Sequence, residues 1–190
     1  MYYRSRSANL TPLLTIIGID IALWLGSSVA PNMIPLFGLS PALVLSKPWT
    51  LVTSIFLHGS FGHIFGNMFT LYFYGRYVTE LLGERRFLAI YFVGGIVGSI
   101  TYVLLGPQLS LAIGASGAVF TLGGVLVVLR PQVKVIVFPI PIPVPLWVAT
   151  LAGFLIVSFL PGVAWQAHLG GLVFGLAAGW WFKTRARGYH

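Results

Sequence analysis

The sequence contains very little charge and no cysteine. Of its 190 residues, 7% are charged, only three are acidic and 57% are hydrophobic. The mean hydropathy is +0.93. A soluble domain carries roughly 25% charged residues, so the composition indicates a membrane protein. The absence of cysteine excludes disulfides, thiol nucleophiles and cysteine metal sites.

The formal net charge of +8 does not indicate a nucleic-acid partner. The basic residues are not gathered on one polar face but stand at the ends of apolar segments. Orientation of a chain in a bilayer produces this distribution. We therefore expect the lipid bilayer, and no nucleic acid, as a partner.

Six apolar segments predict an all-α membrane protein. A span needs about 20 apolar residues, and we expect helices close to 12–30, 61–78, 87–105, 115–129, 146–160 and 166–182. The first segment is long enough for a retained helix rather than a cleaved signal peptide. We predict one membrane domain over residues 1–190, with a short basic N-terminus (1–11) and a short basic tail (183–190).

Two proline-rich stretches interrupt this pattern. Residues 31–57 hold four prolines and Trp49 without a full apolar span, which favours a loop in the membrane interface. Residues 131–145 hold five prolines, which excludes a regular helix and favours a loop before the fifth segment.

The basic residues also predict the orientation of the chain. With six spans, ten of the eleven Lys and Arg fall on one side of the membrane, and Lys47 alone falls on the other. The positive-inside rule places the ten in the cytoplasm. We expect a multi-pass protein of the cell membrane (plasma or inner) with both termini cytoplasmic.

A serine between glycines, Gly114-Ala115-Ser116-Gly117, begins the fourth segment. On its own the motif fits helix packing better than catalysis, because small residues bring membrane helices together. If a helix begins here, however, its free N–H groups and its dipole point towards the oxygen of a bound carbonyl.

Four polar residues reach one depth in the predicted topology. His63 and Asn67 lie near the outer start of the second segment, Ser116 near that of the fourth and His168 near that of the sixth. Alone, His168 fits a place at the lipid interface and Asn67 fits an interhelical hydrogen bond. Those separate explanations do not account for the shared depth, and polar residues within spans are usually functional.

Nucleophilic attack by serine is the chemistry that requires this set. A serine hydroxyl needs an adjacent base, here His168. The oxyanion that forms on the attacked carbonyl needs fixed donors, and the candidates are Asn67, His63 and the Ser116 backbone N–H.

No acidic residue is placed to complete a triad. Glu80 and Glu84 fall at the cytoplasmic end, and Asp20 lies at mid-depth in the first segment. We therefore predict a Ser–His dyad whose histidine is oriented by packing and by other hydrogen bonds. His58 is expected in the interfacial loop and His190 in the tail.

Three motifs resemble the signature of the rhomboid intramembrane serine proteases. They are Gly114-Ala115-Ser116-Gly117, His63-x-x-x-Asn67, and Ala167-His168-x-x-Gly171-x-x-x-Gly175. Their order and their helices match the family, and His58 also fits its pattern. The resemblance implies a six-helix rhomboid-like bundle that cleaves transmembrane protein substrates within or near the bilayer, without a metal or another cofactor. It implies Ser116 as nucleophile, His168 as base, and His63 and Asn67 as oxyanion donors.

The chain departs from the family at two positions. Trp49-Thr50 stands where many rhomboids have Trp-Arg, and Phe120 stands where bacterial members often have a tyrosine against the catalytic histidine. Glu80 and Gly83 resemble structural residues at the end of the second helix, with imperfect spacing. The resemblance also implies that the fifth helix and the following loop move to admit substrate, and that Gly114 leaves room for its approach.

Other functions remain open at this stage. A transporter or channel would explain six spans with buried polar groups, although the two halves of the chain show no similarity. A rhomboid relative without catalysis would act as a binder of membrane proteins, but Ser116 and His168 are both present. A metalloprotease would require His-Glu-x-x-His, which is absent, and metal binding by His58, His63 and His168 is the weakest alternative.

Overall fold

The computed structural model describes residues 8–137 and 140–187. Within these ranges the chain is mostly helical. The long helices are α1 (Thr11–Val29), α4 (Phe61–Leu82), α5 (Glu84–Leu105), α6 (Ser116–Leu129), α7 (Leu146–Ser158) and α8 (Trp165–Arg187). Two short helices, α2 (Met33–Phe37) and α3 (Thr50–Thr53), and two strands, β1 (Lys134–Val137) and β2 (Ile140–Pro145), lie between them.

Each of the six predicted segments contains one long helix. By length and composition α1 and α5 are able to cross a membrane, and α6 and α7 are shorter apolar helices. The helix α4 continues four residues beyond the predicted end, to Leu82, and stops at Gly83, whose φ is +86°. A residue with positive φ breaks the helical hydrogen-bond pattern.

The stretch predicted as an interfacial loop is folded into short helical turns. Besides α2 and α3 it contains 3-10 turns at Pro41–Leu43 and Ser54–Phe56. It is joined to the chain before α6 by a bridge in which Leu39 and Ala112 exchange N–H···O bonds of 3.0 and 2.8 Å. The Gly114 N–H also donates to the Ser54 carbonyl oxygen at 2.8 Å. These bonds fix the approach to Ser116.

The prediction of an irregular loop over 131–145 was wrong. The strands β1 and β2 form an antiparallel hairpin in which Lys134 pairs with Pro145 and Val135 with Val144. Prolines at alternate positions fit a two-stranded ribbon, because every second residue of a strand turns its N–H away from the partner strand. Pro139 lies outside the described residues.

The basic tail predicted from residue 183 is also corrected. The helix α8 continues to Arg187, so that Lys183 and Arg185 lie on its last turns. The Lys183 ammonium donates to the Val128 carbonyl oxygen at 3.2 Å, and the Arg185 guanidinium lies 4.4 Å from the centre of the Trp181 ring system. Residues 1–7, with Arg4 and Arg6, and residues 188–190, with His190, lie outside the described part.

The centre of the fold is the packing of α8 against α5 and α6. A Cβ atom added to Gly171 would lie 2.0 Å from the Gly117 carbonyl oxygen, and one added to Gly175 would lie 2.2 Å from that of Thr121. The Thr121 hydroxyl lies 2.9 Å from both the Gly117 and the Gly171 carbonyl oxygens. Glycines of α5 and α6 also make close contacts with α8, as at Gly98 and Gly124. Small residues thus bring α6 and α8 to backbone contact.

Candidate active site

Backbone contact between α6 and α8 brings Ser116 and His168 together. Ser116 is the first residue of α6, and His168 lies in the first turn of α8. Their Oγ and Nε2 atoms are 2.7 Å apart, a hydrogen-bond distance, and His168 is 3% exposed. A nucleophile and a base in this contact are the minimal arrangement for attack by serine.

Phe120 lies against the His168 ring. It follows Ser116 by one turn of α6, and its ring centre is 4.7 Å from that of the imidazole, at an interplanar angle of 45°. On its other side Phe120 meets Phe154 of α7 edge to face, with the ring centres 5.6 Å apart. The phenylalanine therefore supplies a packing surface for the histidine without a hydroxyl.

The second ring nitrogen of His168 contacts a residue that the sequence analysis did not single out. The Nδ1 atom lies 3.0 Å from Oγ of Ser158, the last residue of α7. Ser158 is one of two polar residues in the apolar segment 146–160. A polar residue within a span is itself a signal of function, and that signal was available from the sequence.

His63 and Asn67 lie on one face of α4, close to the chain that leads to Ser116. The His63 Nε2 atom would lie 2.6 Å from a Cβ atom at position 114. Gly114 also has a φ of +122°, which strains any other residue. The glycine is therefore required both by its backbone conformation and by the imidazole against it.

Asn67 already uses one amide proton. Its Nδ2 atom donates to the His63 carbonyl oxygen at 2.8 Å, and Asn67 is 8% exposed. A side-chain amide has two N–H donors, so one is left for another acceptor. This bond fixes the side chain on the face of α4 that carries His63.

His58 is buried next to Ser116 rather than exposed at an interface. It is 1% exposed, its ring centre is 5.0 Å from that of His63, and its Nε2 atom accepts from the Ala115 N–H at 3.4 Å. Burial, together with the neighbouring His63, lowers the pKa of His58 to about 3, so the ring is neutral at neutral pH. A neutral imidazole is the form that accepts this bond.

The start of α6 presents backbone donors beside the serine. Ala115 precedes the helix and makes no side-chain capping bond to it. The first N–H groups of a helix have no partner within it. The Ser116 N–H is therefore placed to donate to an oxygen near its own hydroxyl.

A small cavity adjoins Ser116. Its volume is about 20 Å³, and its lining includes Ser54, Ser99 and Ala164. One water molecule needs roughly 10–15 Å³ of such space. The cavity has room for a single water with polar partners.

The acidic residues Asp20 and Glu80 take no part in the contacts of this group. Asp20 of α1 is fully buried, and neither carboxyl oxygen has a hydrogen-bond partner among the described residues. Glu80 pairs with Arg76 at 2.7 Å on the exposed side of α4. Within residues 8–137 and 140–187, no three His, Asp or Glu side chains are grouped so that they would hold a metal ion.

Comparison with known proteins identifies the family. A model of the rhomboid domain matches residues 45–185. The chain therefore belongs to the rhomboid family, a family of membrane-embedded proteins, and the resemblance drawn from the motifs is confirmed.

Individual relatives are similar at about the same level. The chain is 31% identical over 157 residues to Rhomboid protein 1, mitochondrial, of Saccharomyces cerevisiae, covering 70% of this chain and 42% of that protein. It is 35% identical over 132 residues to Rhomboid protease GluP of Bacillus subtilis, covering 68% and 25%. It is 29% identical over 180 residues to the human Presenilin-associated rhomboid-like protein, mitochondrial, covering 85% and 44%. The chain thus spans less than half the length of each of these relatives.

Proposed function

We propose that this protein is an intramembrane serine endopeptidase that cleaves transmembrane segments of other membrane proteins. The observation that carries the proposal is the 2.7 Å contact between Ser116 Oγ and His168 Nε2 in a buried part of the bundle. Membership of the rhomboid family supports it, as does the name of the GluP relative, which is a protease. No metal or other cofactor takes part in this chemistry.

The first half of the reaction forms an acyl-enzyme. Ser116 Oγ attacks the carbonyl carbon of the scissile bond while its proton passes to His168 Nε2. The tetrahedral intermediate then collapses, the C–N bond breaks, and His168 returns the proton to the leaving nitrogen. One product leaves as an amine, and the other is held as an ester on Ser116.

Three donors stabilise the oxyanion of this intermediate. They are the Ser116 N–H at the start of α6, the unused amide proton of Asn67 and the imidazole of His63, which lies against Gly114. Fixed donors are effective because they need no reorganisation when the charge develops. Gly114, which lacks a side chain, lets the substrate backbone approach.

The second half of the reaction requires water within an apolar bundle. A water that reaches the acyl-enzyme donates a proton to His168 while its oxygen attacks the ester carbonyl. The C–Oγ bond breaks, and Oγ takes the proton back from His168. Hydrolysis thus leaves the enzyme as it began.

The membrane arrangement follows from the six long helices and the positions of the charges. Helices α1 and α4 to α8 form the spans, and the stretch 31–57 lies in the interface as the first loop. Both termini lie in the cytoplasm, and the site opens to the outer side of the plasma or inner membrane.

The substrate enters beside α7. A helical segment hides its carbonyl groups in hydrogen bonds, so it must unwind before Ser116 reaches one. The helix α7 and the short loop from Pro161 to Gln166 move to admit it, and Phe120 forms the inner wall against which α7 closes.

The test compares purified protein with single and double variants. A transmembrane model substrate should be cleaved by the wild type and not by Ser116→Ala or His168→Ala. The double variant should be little worse than either single one, because members of one catalytic unit are not additive. EDTA should leave the activity unchanged.

Two outcomes would contradict the proposal. Cleavage that persists in Ser116→Ala excludes the serine as nucleophile. A loss of activity in EDTA that zinc reverses indicates metal chemistry in place of the dyad.

A further inference from the structure

The hydrogen bond between Ser158 and His168 joins α7 to α8. His168 belongs to α8, which lies in backbone contact with α6. Ser158 is the last residue of α7, is 6% exposed, and places its Oγ 3.0 Å from Nδ1 of the histidine. It is the side-chain partner at the nitrogen that does not face the nucleophile.

The helix α7 is held by one row of side chains. Leu146, Thr150, Phe154 and Ser158 follow each other at intervals of four residues, which places them on one face of the helix. The Thr150 hydroxyl bonds with the Tyr74 hydroxyl at 2.9 Å, and Phe154 meets Phe120. Large apolar side chains near the end of α7 point outward, including Leu155, Ile156 and Val157.

The bond at Nδ1 is compatible with both tautomers of His168, because a serine hydroxyl donates as well as accepts. Only one of the two tautomers suits a general base. A neutral imidazole carries one proton, and the nitrogen without it is the one that accepts. When Nδ1–H donates to Ser158 Oγ, Nε2 has a free lone pair directed at the Ser116 hydroxyl. The reverse tautomer places a proton between the base and the nucleophile and prevents proton transfer.

We propose that Ser158 is a positioning residue that holds the His168 ring in the orientation of a general base, with Nδ1–H donating to Ser158 Oγ and Nε2 facing Ser116, and that it does so only while α7 is packed against the bundle. The proposal rests on the proposed function and adds the group that takes the place of an acidic triad member. Ser158 touches only the base and not the substrate. Displacement of α7 withdraws the hydroxyl from Nδ1 and leaves the ring with its contacts to Ser116 and Phe120.

This arrangement orders the events of a catalytic cycle. While α7 is displaced to admit a substrate, His168 lacks its second hydrogen bond and Ser116 is a weak nucleophile. When α7 returns, the bond re-forms and the base is aligned. Reactivity therefore depends on closure of the same helix that admits the substrate.

The test uses two matched variants of α7 and two readouts. Ser158→Ala removes the bond to the base, whereas Thr150→Val removes the bond to Tyr74 two turns away and conserves shape. The readouts are cleavage of a transmembrane substrate and labelling of Ser116 by a small fluorophosphonate. In the labelling reaction Oγ bonds to phosphorus, fluoride leaves, and the serine proton passes to His168.

We expect Ser158→Ala to slow both readouts by about 10- to 100-fold, the range that a slight misplacement of a catalytic group produces. Cleavage should lose kcat with little change in KM. Ser158→Thr, which keeps a hydroxyl, should recover part of the labelling rate. Thr150→Val should change the rate of cleavage of the transmembrane substrate without slowing the labelling of Ser116.

A measurement on the unaltered protein covers the case in which Ser158→Ala does not fold. Nitrogen-15 NMR of labelled histidine should show His168 protonated on Nδ1 at neutral pH. Protonation on Nε2 would overturn the proposal, as would wild-type labelling rates in folded Ser158→Ala. Neither of those results contradicts the proposed function if Ser116→Ala is inactive. Activity in Ser116→Ala would overturn both the proposed function and the role of Ser158.

Discussion

Helices α6 and α7 both border His168, but they contact the rest of the molecule in different ways. The helix α6 meets α8 through backbone atoms, with the Gly117 and Thr121 carbonyl oxygens at the positions where side chains at Gly171 and Gly175 would begin. The helix α7 meets its neighbours in the bundle through side chains such as Thr150, Phe154 and Ser158. The proposed nucleophile and base are thus joined by backbone contacts, whereas the side that we propose for substrate entry is closed by side-chain contacts.

The largest effect is expected from a methyl group placed in the backbone contact between α6 and α8. Gly171→Ala puts a carbon 2.0 Å from the Gly117 carbonyl oxygen, and no flexible side chain is available to yield. We expect the free energy of unfolding in detergent to fall by about 3 kcal/mol or more. Thermal unfolding and cleavage of a transmembrane substrate are measured, and cleavage should be lost.

The matched control lies on α7. A Cβ atom at Gly153 has nothing within 4 Å. Gly153→Ala should therefore leave the free energy of unfolding unchanged or raise it by up to about 1 kcal/mol. Equal destabilisation by the two alanines would show that α6 and α7 are held alike.

A cross-link that keeps α7 closed should separate entry from chemistry. Tyr74→Cys and Thr150→Cys place thiols where two hydroxyls lie 2.9 Å apart, and the chain has no other cysteine. A short reducible linker between them should abolish most cleavage of a transmembrane substrate and leave fluorophosphonate labelling in place, because α7 stays packed.

The uncross-linked double variant and the linked protein after reduction are its controls, and both should cleave. Full cleavage with the link complete would show that the substrate does not enter beside α7.

Removing the Asn67 amide, a proposed oxyanion donor on α4, should lower turnover and leave the fold intact. Asn67→Ala is expected to reduce kcat by about 100-fold, since loss of one such donor typically has this effect. Thr70→Ala is the control, because Thr70 also bonds to a carbonyl four residues earlier on α4, at 2.8 Å from Gly66, but lies outside the site. Unchanged turnover in folded Asn67→Ala would exclude that role.

The smallest effect is expected at Asp20. The residue is fully buried in α1, and its carboxyl oxygens have no hydrogen-bond partner in the described part of the chain. Asp20→Asn keeps the shape, so most of the activity should remain and the thermal midpoint should move by only a few degrees, as for about 1 kcal/mol. Collapse of turnover in a folded variant would place Asp20 in the machinery.

The sequence predicted the long helices and the group around Ser116 because both leave strong patterns. Apolar length defines a span, and glycines mark both the turn before Ser116 and the contacts of α8. The hairpin was missed because the prolines, which exclude a regular helix, were taken to indicate a loop, although strands tolerate prolines at alternate positions. The burial of His58 was not predicted, because it arises from contacts with Ala115 and His63 that only tertiary structure brings together.

Ser158 shows a different limit. A single serine near the end of an apolar segment has many uses, and nothing local says which side chain it will meet. Its spacing from Thr150 and Phe154 places it on one face, but the identity of that face depends on how α7 packs. The pairing with His168 therefore required the structure.

The hairpin of β1 and β2 anchors the start of α7 and so bears on the movement that we propose for this helix. The Leu146 N–H donates to the Val133 carbonyl oxygen at 2.8 Å, so the first residue of α7 is tied to the base of the ribbon. The distance from Leu146 to Ser158 along a helix is about 18 Å at 1.5 Å per residue. Pivoting by about 10° over such an arm displaces its far end by about 3 Å. That displacement is comparable to the 3.0 Å hydrogen bond between Ser158 and His168. A tilt of α7 that leaves the bond at Leu146 in place is thus large enough at Ser158 to break the hydrogen bond to His168.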